Sequence, residues 1–293
     1  MTPDLSESCF DVVVLGSGPA GHKAAVQAAK VGKRVLVVDR EPTAGGECVQ
    51  RGTIPSKTLR ESAAYLAGLR ARSEDMLQLS LPPQTKVASL MRRLSAVKSA
   101  HERYLSAQLE RNRIIRWHGR ARFLSSERIE VAMLDRTKRT VVADLIIVAT
   151  GSRPRQPENV PVDHEHVLDS DSILSLIYLP TSLTVLGSGV IACEFASLFA
   201  ALGVKVTMLD SSPRPLAFID PELTAQFSKA YEHEGGQFLP NRKIESVQWD
   251  GRDVVTRMVG GEEVRAERCL CALGRIANVA GLDVQAAGIA MTP

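Results

Sequence analysis

Five residues of the N-terminal half recur in the C-terminal half at a constant offset of 171 positions, and this duplication constrains the fold more than any other feature. Gly16, Gly18, Gly21, Gly32 and Asp39 become Gly187, Gly189, Ala192, Gly203 and Asp210. In each copy an apolar run (11–15, 183–186) enters the glycines, an alanine-rich stretch follows, and a second apolar run closes on an acid 23 residues after the first glycine. One such match is a weak signal. Two, each between the right elements, predict two strand–turn–helix units of the kind that bind dinucleotides. The expected fold class is α/β, with two Rossmann-like dinucleotide-binding domains. The first is expected over 1–157, with 275–293 returning to it, and the second over 158–274.

The spacing has a chemical reason. The first glycine turns the chain sharply out of its strand, the second lets backbone approach a pyrophosphate, and the third position keeps helix and strand close. The pyrophosphate then rests on unpaired N–H groups at the positive end of the helix, within the stretch Pro19, Ala20 and Gly21 of one copy, where the proline itself has no N–H to give, and at Val190 and Ile191 of the other. Ala192 departs from glycine but is small enough for close packing. Asp39, with Arg40 beside it, and Asp210 are the expected sugar contacts. Asp210 favours a free ribose hydroxyl and would repel a 2′-phosphate, whereas Arg214, four positions on, could attract one. The two signals conflict.

Composition narrows the function. Aromatic residues make up 4% of the 293, too few for a base-stacking surface, and a net charge of +3 does not mark a polyanion binder. The basic stretch Arg103, Arg111, Arg113, Arg116, Arg120 and Arg122 reads as a solvated face, and no nucleic acid is expected as partner. Cysteines 9, 48, 193, 269 and 271 form an odd, scattered set that resembles neither a disulfide framework nor a zinc site. Cys269 and Cys271 alternate along an apparent strand and are expected as small buried side chains on one face. No metal site is expected, and His164-Glu165-His166 reads as a polar loop. With no leader and no apolar run near the length of a membrane span, a cytoplasmic chain free of the membrane is expected.

Along the chain, helices are expected over 19–30, from about Pro55 and Ser56, and over 87–109, where Leu90, Leu94, Val97, Tyr104 and Leu105 recur at helical spacing. Leu81-Pro82-Pro83 should break the chain before the last of these. Alternation over 114–142 predicts short antiparallel strands, and the continuous apolar run 145–149 predicts a fully buried one.

The segment Gly45-Gly46-Glu47-Cys48-Val49-Gln50-Arg51-Gly52-Thr53-Ile54-Pro55-Ser56-Lys57 closely resembles the redox-active stretch of the flavin-dependent pyridine nucleotide–disulfide oxidoreductases. Members with a redox dithiol carry two cysteines there, four residues apart. Here the first is Cys48 and the second position is Thr53. Threonine cannot cycle as half of a disulfide, and the variant Gly52-Thr53-Ile54-Pro55-Ser56-Lys57 resembles the transhydrogenase branch of the family. There hydride passes from one nicotinamide nucleotide to the flavin and on to another.

Further matches extend the resemblance over the whole chain. Thr150-Gly151-Ser152-Arg153-Pro154, entered from Ala149, resembles the family's second flavin motif, and Val190-Ile191-Ala192-Cys193-Glu194 its nicotinamide-domain segment. The resemblance implies FAD at the first glycine set and NAD(H) or NADP(H) at the second. It implies a Lys57–Glu194 ion pair at the flavin, and flavin contacts from Gly46, Cys48, Thr53, Arg120, Ala121, Gly274 and Arg275.

Family members continue through a third flavin motif and a dimer-forming domain, neither of which is matched here. A chain without them, fragment or natural short form, is expected to hold FAD weakly, to expose apolar surface and to be monomeric. The leading expectation is an FAD-dependent oxidoreductase that moves hydride between NAD(P)H and NAD(P)+. The alternatives are an NAD(P)H diaphorase or oxidase, a dihydrolipoyl-dehydrogenase-like reductase, and a non-catalytic flavin- or nucleotide-binding module.

Overall fold

The computed structural model describes residues 7–73 and 83–292. In chain order the elements are β1 (Glu7–Leu15), α1 (Pro19–Lys30), β2 (Val35–Asp39), α2 (Gly46–Gln50), α3 (Thr53–Ser73), α4 (Pro83–Arg111), β3 (Ile115–Phe123), β4 (Arg128–Met133), β5 (Lys138–Val148), β6 (Ser152–Pro154), β7 (Val167–Asp169), β8 (Ser182–Leu186), α5 (Val190–Ala201), β9 (Lys205–Leu209), α6 (Pro221–His233), β10 (Gln237–Leu239), β11 (Ile244–Trp249), β12 (Val254–Met258), β13 (Glu263–Ala266), β14 (Arg268–Cys271) and β15 (Arg275–Ala277). Contacts divide the chain into two compact units, 1–50 with 98–153 and 277–293, and 51–97 with 154–276.

In the first unit β1 lies between β2 and β5, parallel to both, and β2 is parallel to β3. The antiparallel strands β3, β4 and β5 close the ring. Val13, Leu15, Leu36 and Val38 turn to the cluster of Phe123, Ile129 and Val131, while Val12, Val14, Val35 and Val37 turn to Ala25, Leu109 and Ile114. Burial on both faces explains why β2 reads as an unbroken apolar run. The run 145–149 departs from that rule. Most of it forms the end of β5, where Leu145 on one face and Val148 on the other are 53% and 39% exposed.

The second unit is a parallel sheet in the order β10-β9-β8-β14-β7, with an antiparallel meander of β11, β12 and β13. Cys269 and Cys271 share a face and pack with Val247, Val254 and Met258, while Leu270 points the other way into the cluster around α5. That helix is apolar almost all round because it is covered twice, by the sheet and by α3. Leu59, Ala63 and Leu94 join Ala192, Phe195 and Leu198 in one core, so residues 51–97 group with the second glycine set although chain order would attach them to the first. The helix expected from Pro55 starts two residues earlier, at Thr53. Proline fits within that first turn, where no intrahelical N–H bond is needed. Leu81 and Pro82, expected to break the chain, lie outside the described residues.

Candidate functional site

Each unit carries one glycine turn as a candidate cradle, and the backbone bonds of the two turns repeat in register. Gly16 has φ +103°, its N–H donates to Val38 O at 2.8 Å, and Ala149 N–H donates to Leu15 O at 2.8 Å. A Cβ on Gly16 would stand 2.4 Å from Ala149 O, so a side chain is excluded where the three strand ends meet. In the second copy Gly187 has φ +102°, donates to Leu209 O at 2.9 Å, and a Cβ there would meet Ala272 O at 2.7 Å. The second glycines differ in kind. A Cβ on Gly18 would find its nearest neighbour 3.9 Å away and one on Gly189 would find none, so protein packing does not demand glycine at either.

The helix starts agree. α1 and α5 begin at Gly18 and Gly189 with no side-chain cap and no acid in the first turn. α6, by contrast, is capped by Asp220, which accepts from Glu222 N–H, and carries Glu222 in its first turn. Uncapped N–H groups without a neighbouring carboxylate at α1 and α5 leave two positive helix ends suited to an anion. A cleft of about 370 Å³ opens on the second, lined by Gly187, Gly189, Val190, Ile191, Asp210 and Gly274 among others.

The acids close the cradles. Asp39 is buried; its Oδ2 accepts from Ser17 N–H and Oγ, both at 2.6 Å, and its Oδ1 from Glu41 N–H at 2.9 Å. Asp210 Oδ1 accepts from Ser212 N–H at 2.7 Å and Ser211 Oγ at 3.5 Å. Register along β2 and β3 places His118 opposite Asp39, and His118 Nε2 lies 2.9 Å from Arg40 O. Arg120 and Ala121 pair instead with Ala132 and Val131 on β4, beyond the end of β2. The place of His118 depends on that register, and the parallel pairing of β2 with the strand after the long helix is the signal for it. Arg40 itself reaches Glu47 at 3.7 Å.

Other candidates fall into place by element. Cys48 is half-buried on α2, and Thr53 is exposed at the start of α3. Lys57, one turn further on, donates from Nζ to Glu194 Oε1 at 2.7 Å, which is the ion pair expected between α3 and α5. Gly46 approaches the first turn so closely that a Cβ would stand 2.8 Å from Gly18 Cα. Asn278 holds the Thr150-Gly151 turn, donating from Nδ2 to Thr150 O at 3.1 Å and from N–H to Gly151 O at 2.9 Å. Ser152 opens β6. Gly274 O accepts from Arg155 N–H at 2.9 Å, and Arg275 donates to Ser170 Oγ at 3.1 Å. Arg214 spends its guanidinium on its own loop: Nη1 donates to Leu216 O, Ile219 O and Thr224 Oγ1 and Nη2 to Ala217 O.

Burial pushes the Cys193 thiol up to about 12 and also raises Cys269 and Cys271, so none of these three is a thiolate near neutral pH. His164 and His166 belong to a loop tied by Asp163, whose Oδ1 accepts from the N–H groups of Glu165, His166 and Val167. Among the described residues no three or more His, Cys, Asp or Glu side chains gather as for a metal ion, and no helix is long and apolar enough to cross a membrane.

Residues 10–293 match the family model described as pyridine nucleotide-disulphide oxidoreductase. The chain belongs to that family. It is 40% identical over 281 residues to a protein named soluble pyridine nucleotide transhydrogenase from Mycobacterium tuberculosis, an alignment covering 96% of this chain and 60% of the relative. A protein of the same name from Ectopseudomonas mendocina is 36% identical over 283 residues, covering 96% and 61%. The chain thus spans about three fifths of the length of the curated relatives it matches. Among solved structures, LpdA from Mycobacterium tuberculosis matches with a TM-score of 0.88 at 27% identity, over 99% of this chain and 63% of that one. The HOCl-induced flavoprotein disulfide reductase RclA from Escherichia coli matches at 0.82 and 26%, over 97% and 60%. As a member of the pyridine nucleotide-disulphide oxidoreductases the chain has an unusual redox segment, because Thr53 opens α3 where the dithiol members place their second cysteine.

Proposed function

We propose that the chain carries the FAD-binding and nicotinamide-binding portions of an oxidoreductase of transhydrogenase type, in which hydride moves between NAD(P)H and NAD(P)+ by way of FAD and without a cysteine relay. The observation that carries this reading is Thr53 at the head of α3, five positions and one helix start after Cys48. The residues present fit a dinucleotide in each cradle, since Gly18 and Gly189 keep open space that a Cβ would enter and the helix behind each lacks a cap.

In the first cradle the N–H groups at the start of α1 would hold the FAD pyrophosphate, and Asp39 with Ser17 would fix its ribose. In the second the start of α5 and Asp210 would do the same for the nicotinamide nucleotide. Bound FAD supplies a two-electron acceptor that can take up and return a hydride. Glu194 holds the Lys57 ammonium in one place, which is how a fixed positive charge is set where negative charge develops.

The test is an anaerobic titration of the FAD-reconstituted chain. NADH should bleach the flavin absorbance, oxidised thio-NAD should restore it, and no long-wavelength thiolate–flavin band should appear. Such a band would place a thiol against the flavin and return the chain to disulfide chemistry. Recovery of colour by quinone or oxygen but not by a nucleotide would make it a diaphorase. A chain that takes up no FAD would remove the reading altogether.

A further inference from the structure

The loop after β9 decides between the two sequence signals that conflict over the second nucleotide. Resting on the reading above, we propose that the second cradle selects NAD(H) over NADP(H). Asp210 receives the ribose 2′-hydroxyl, and Arg214 is a positioning residue that builds the cradle instead of binding a 2′-phosphate.

Arg214 reaches four acceptors of its own loop and of α6: Leu216 O at 3.4 Å, Ile219 O at 2.9 Å, Thr224 Oγ1 at 2.9 Å and Ala217 O at 2.7 Å. Together these bonds wrap residues 214–220 around one guanidinium. The wrapped loop carries Leu216 in the left-handed region, at φ +50°, an uncommon place for a residue with a branched side chain. Its N–H then donates to Ser188 O at 2.8 Å, inside the glycine turn. The equivalent contact in the first copy comes from Gly45, 171 positions earlier, whose N–H donates to Ser17 O at 3.0 Å with φ +115°. Glycine enters that conformation at no steric cost. Leucine needs holding there, and Arg214 supplies the hold. Turning the guanidinium toward a phosphate would take from Ile219 O, Ala217 O and Thr224 Oγ1 the donor they share, leaving Leu216 O only its bond from Ile219 N–H, and would release the loop from the turn it supports.

Among the described residues no cation forms an ion pair with the acid. Ser211, Ser212 and Pro213 are uncharged. Arg242 lies close, its N–H donating to Asp210 O at 2.8 Å, but its side chain is given to Glu262 at 2.7 and 3.3 Å. Among the described residues no protein donor reaches Asp210 Oδ2, which leaves that oxygen to accept from a ribose hydroxyl. A 2′-phosphate there would compete with the carboxylate for hydrogen-bond donors, since both groups only accept.

The experiment measures equilibrium affinities for NADH and NADPH on the FAD-reconstituted chain and on Arg214→Met, Asp210→Asn and Ser212→Arg. NADPH is expected to bind at least tenfold more weakly than NADH. Arg214→Met should weaken both nucleotides by a similar factor and leave their ratio unchanged. Asp210→Asn should narrow the ratio. Ser212→Arg does not disturb the clamp and should improve NADPH alone, which keeps the test open if Arg214→Met unfolds. Equal affinities in the unaltered chain, or a loss in Arg214→Met confined to NADPH, would overturn the proposal. Binding of neither nucleotide would instead overturn the functional reading, and this inference with it.

Discussion

The two cradles share a backbone and differ in how much of their geometry is fixed by their own residues. In the first, the acid is locked before any ligand arrives, because Asp39 takes three protein donors at 2.6 to 2.9 Å and the left-handed corner is a glycine. In the second, Ser188 makes no such bond to the acid; its carbonyl accepts from Leu216 N–H at 2.8 Å and from the Cys193 thiol at 3.4 Å, and Asp210 keeps one oxygen free. The first is preorganised, which suits a resident cofactor whose binding should cost little ordering. The second reaches the same shape with a braced loop, which suits a ligand that enters and leaves at every turnover.

The third position of the glycine pattern gives the largest contrast. A Cβ on Gly21 would stand 1.9 Å from Gly16 O, yet the second copy carries alanine at the equivalent Ala192 with no exposed surface. Gly21→Ala is therefore expected to cost about 3 kcal/mol or more, on the scale of overpacked cores, and to abolish FAD uptake. Ala192→Gly should cost only about 1 kcal/mol, mainly from helix propensity. Denaturant unfolding of both variants measures the difference, and equal losses would mean that the two turns pack alike.

The middle glycines sharpen the comparison without touching the fold. With no atom closer than 3.9 Å to either added Cβ, Gly18→Ala and Gly189→Ala should each cost about 1 kcal/mol or less, as weak helix caps do. Each should nevertheless reduce binding at its own cradle at least tenfold, Gly18→Ala for FAD and Gly189→Ala for NADH. A variant that binds normally would show that the ligand backbone does not come close at that turn.

One helix position carries opposite titrations in the two copies. His22 and Cys193 stand 171 residues apart, both buried. Burial lowers the His22 pKa below its ordinary 6.5, outweighing the Leu105 carbonyl that favours the charged ring, so the folded state keeps the imidazole neutral. Its stabilisation is present above 6.5 and lost as pH falls below it, where the unfolded chain binds the proton more readily. Cys193 behaves in the reverse sense. With its pKa raised from 9 to about 12, stability holds below 9 and declines as pH rises beyond it, because the unfolded thiol ionises first. The first unit should fail on the acid side and the second on the alkaline side. Melting temperatures from pH 5 to 10 test this, with His22→Asn flattening the acid limb and Cys193→Ala the alkaline one.

What could be read before the structure was whatever sterics impose on single residues. The glycines, the apolar strands and the Lys57–Glu194 pair are tied to local patterns or a family motif. The equivalence of Gly45 and Leu216 was hidden because the residue types differ and only a positive φ and the N–H bond into the glycine turn are shared. The commitment of Arg214 depends on three carbonyls of its own loop, which have no side-chain signature. Leu145 and Val148 read as buried because an apolar run carries no record of whether a partner covers it.

The thiols give the smallest effect, since labelling them should leave the fold intact. Cys9 and Cys48, in the first unit, are exposed and half-buried, whereas Cys193, Cys269 and Cys271, in the second, are buried with raised pKa values. A thiolate is the reacting species, and the three buried thiols are both hidden from reagent and held protonated by burial. Native protein at pH 8 should therefore react rapidly with a maleimide at two of its five cysteines, and at all five only after unfolding. Rapid labelling at Cys193 would mean that the turn at Ser188 opens readily, and that the second cradle is looser than its bonds to Leu216 imply.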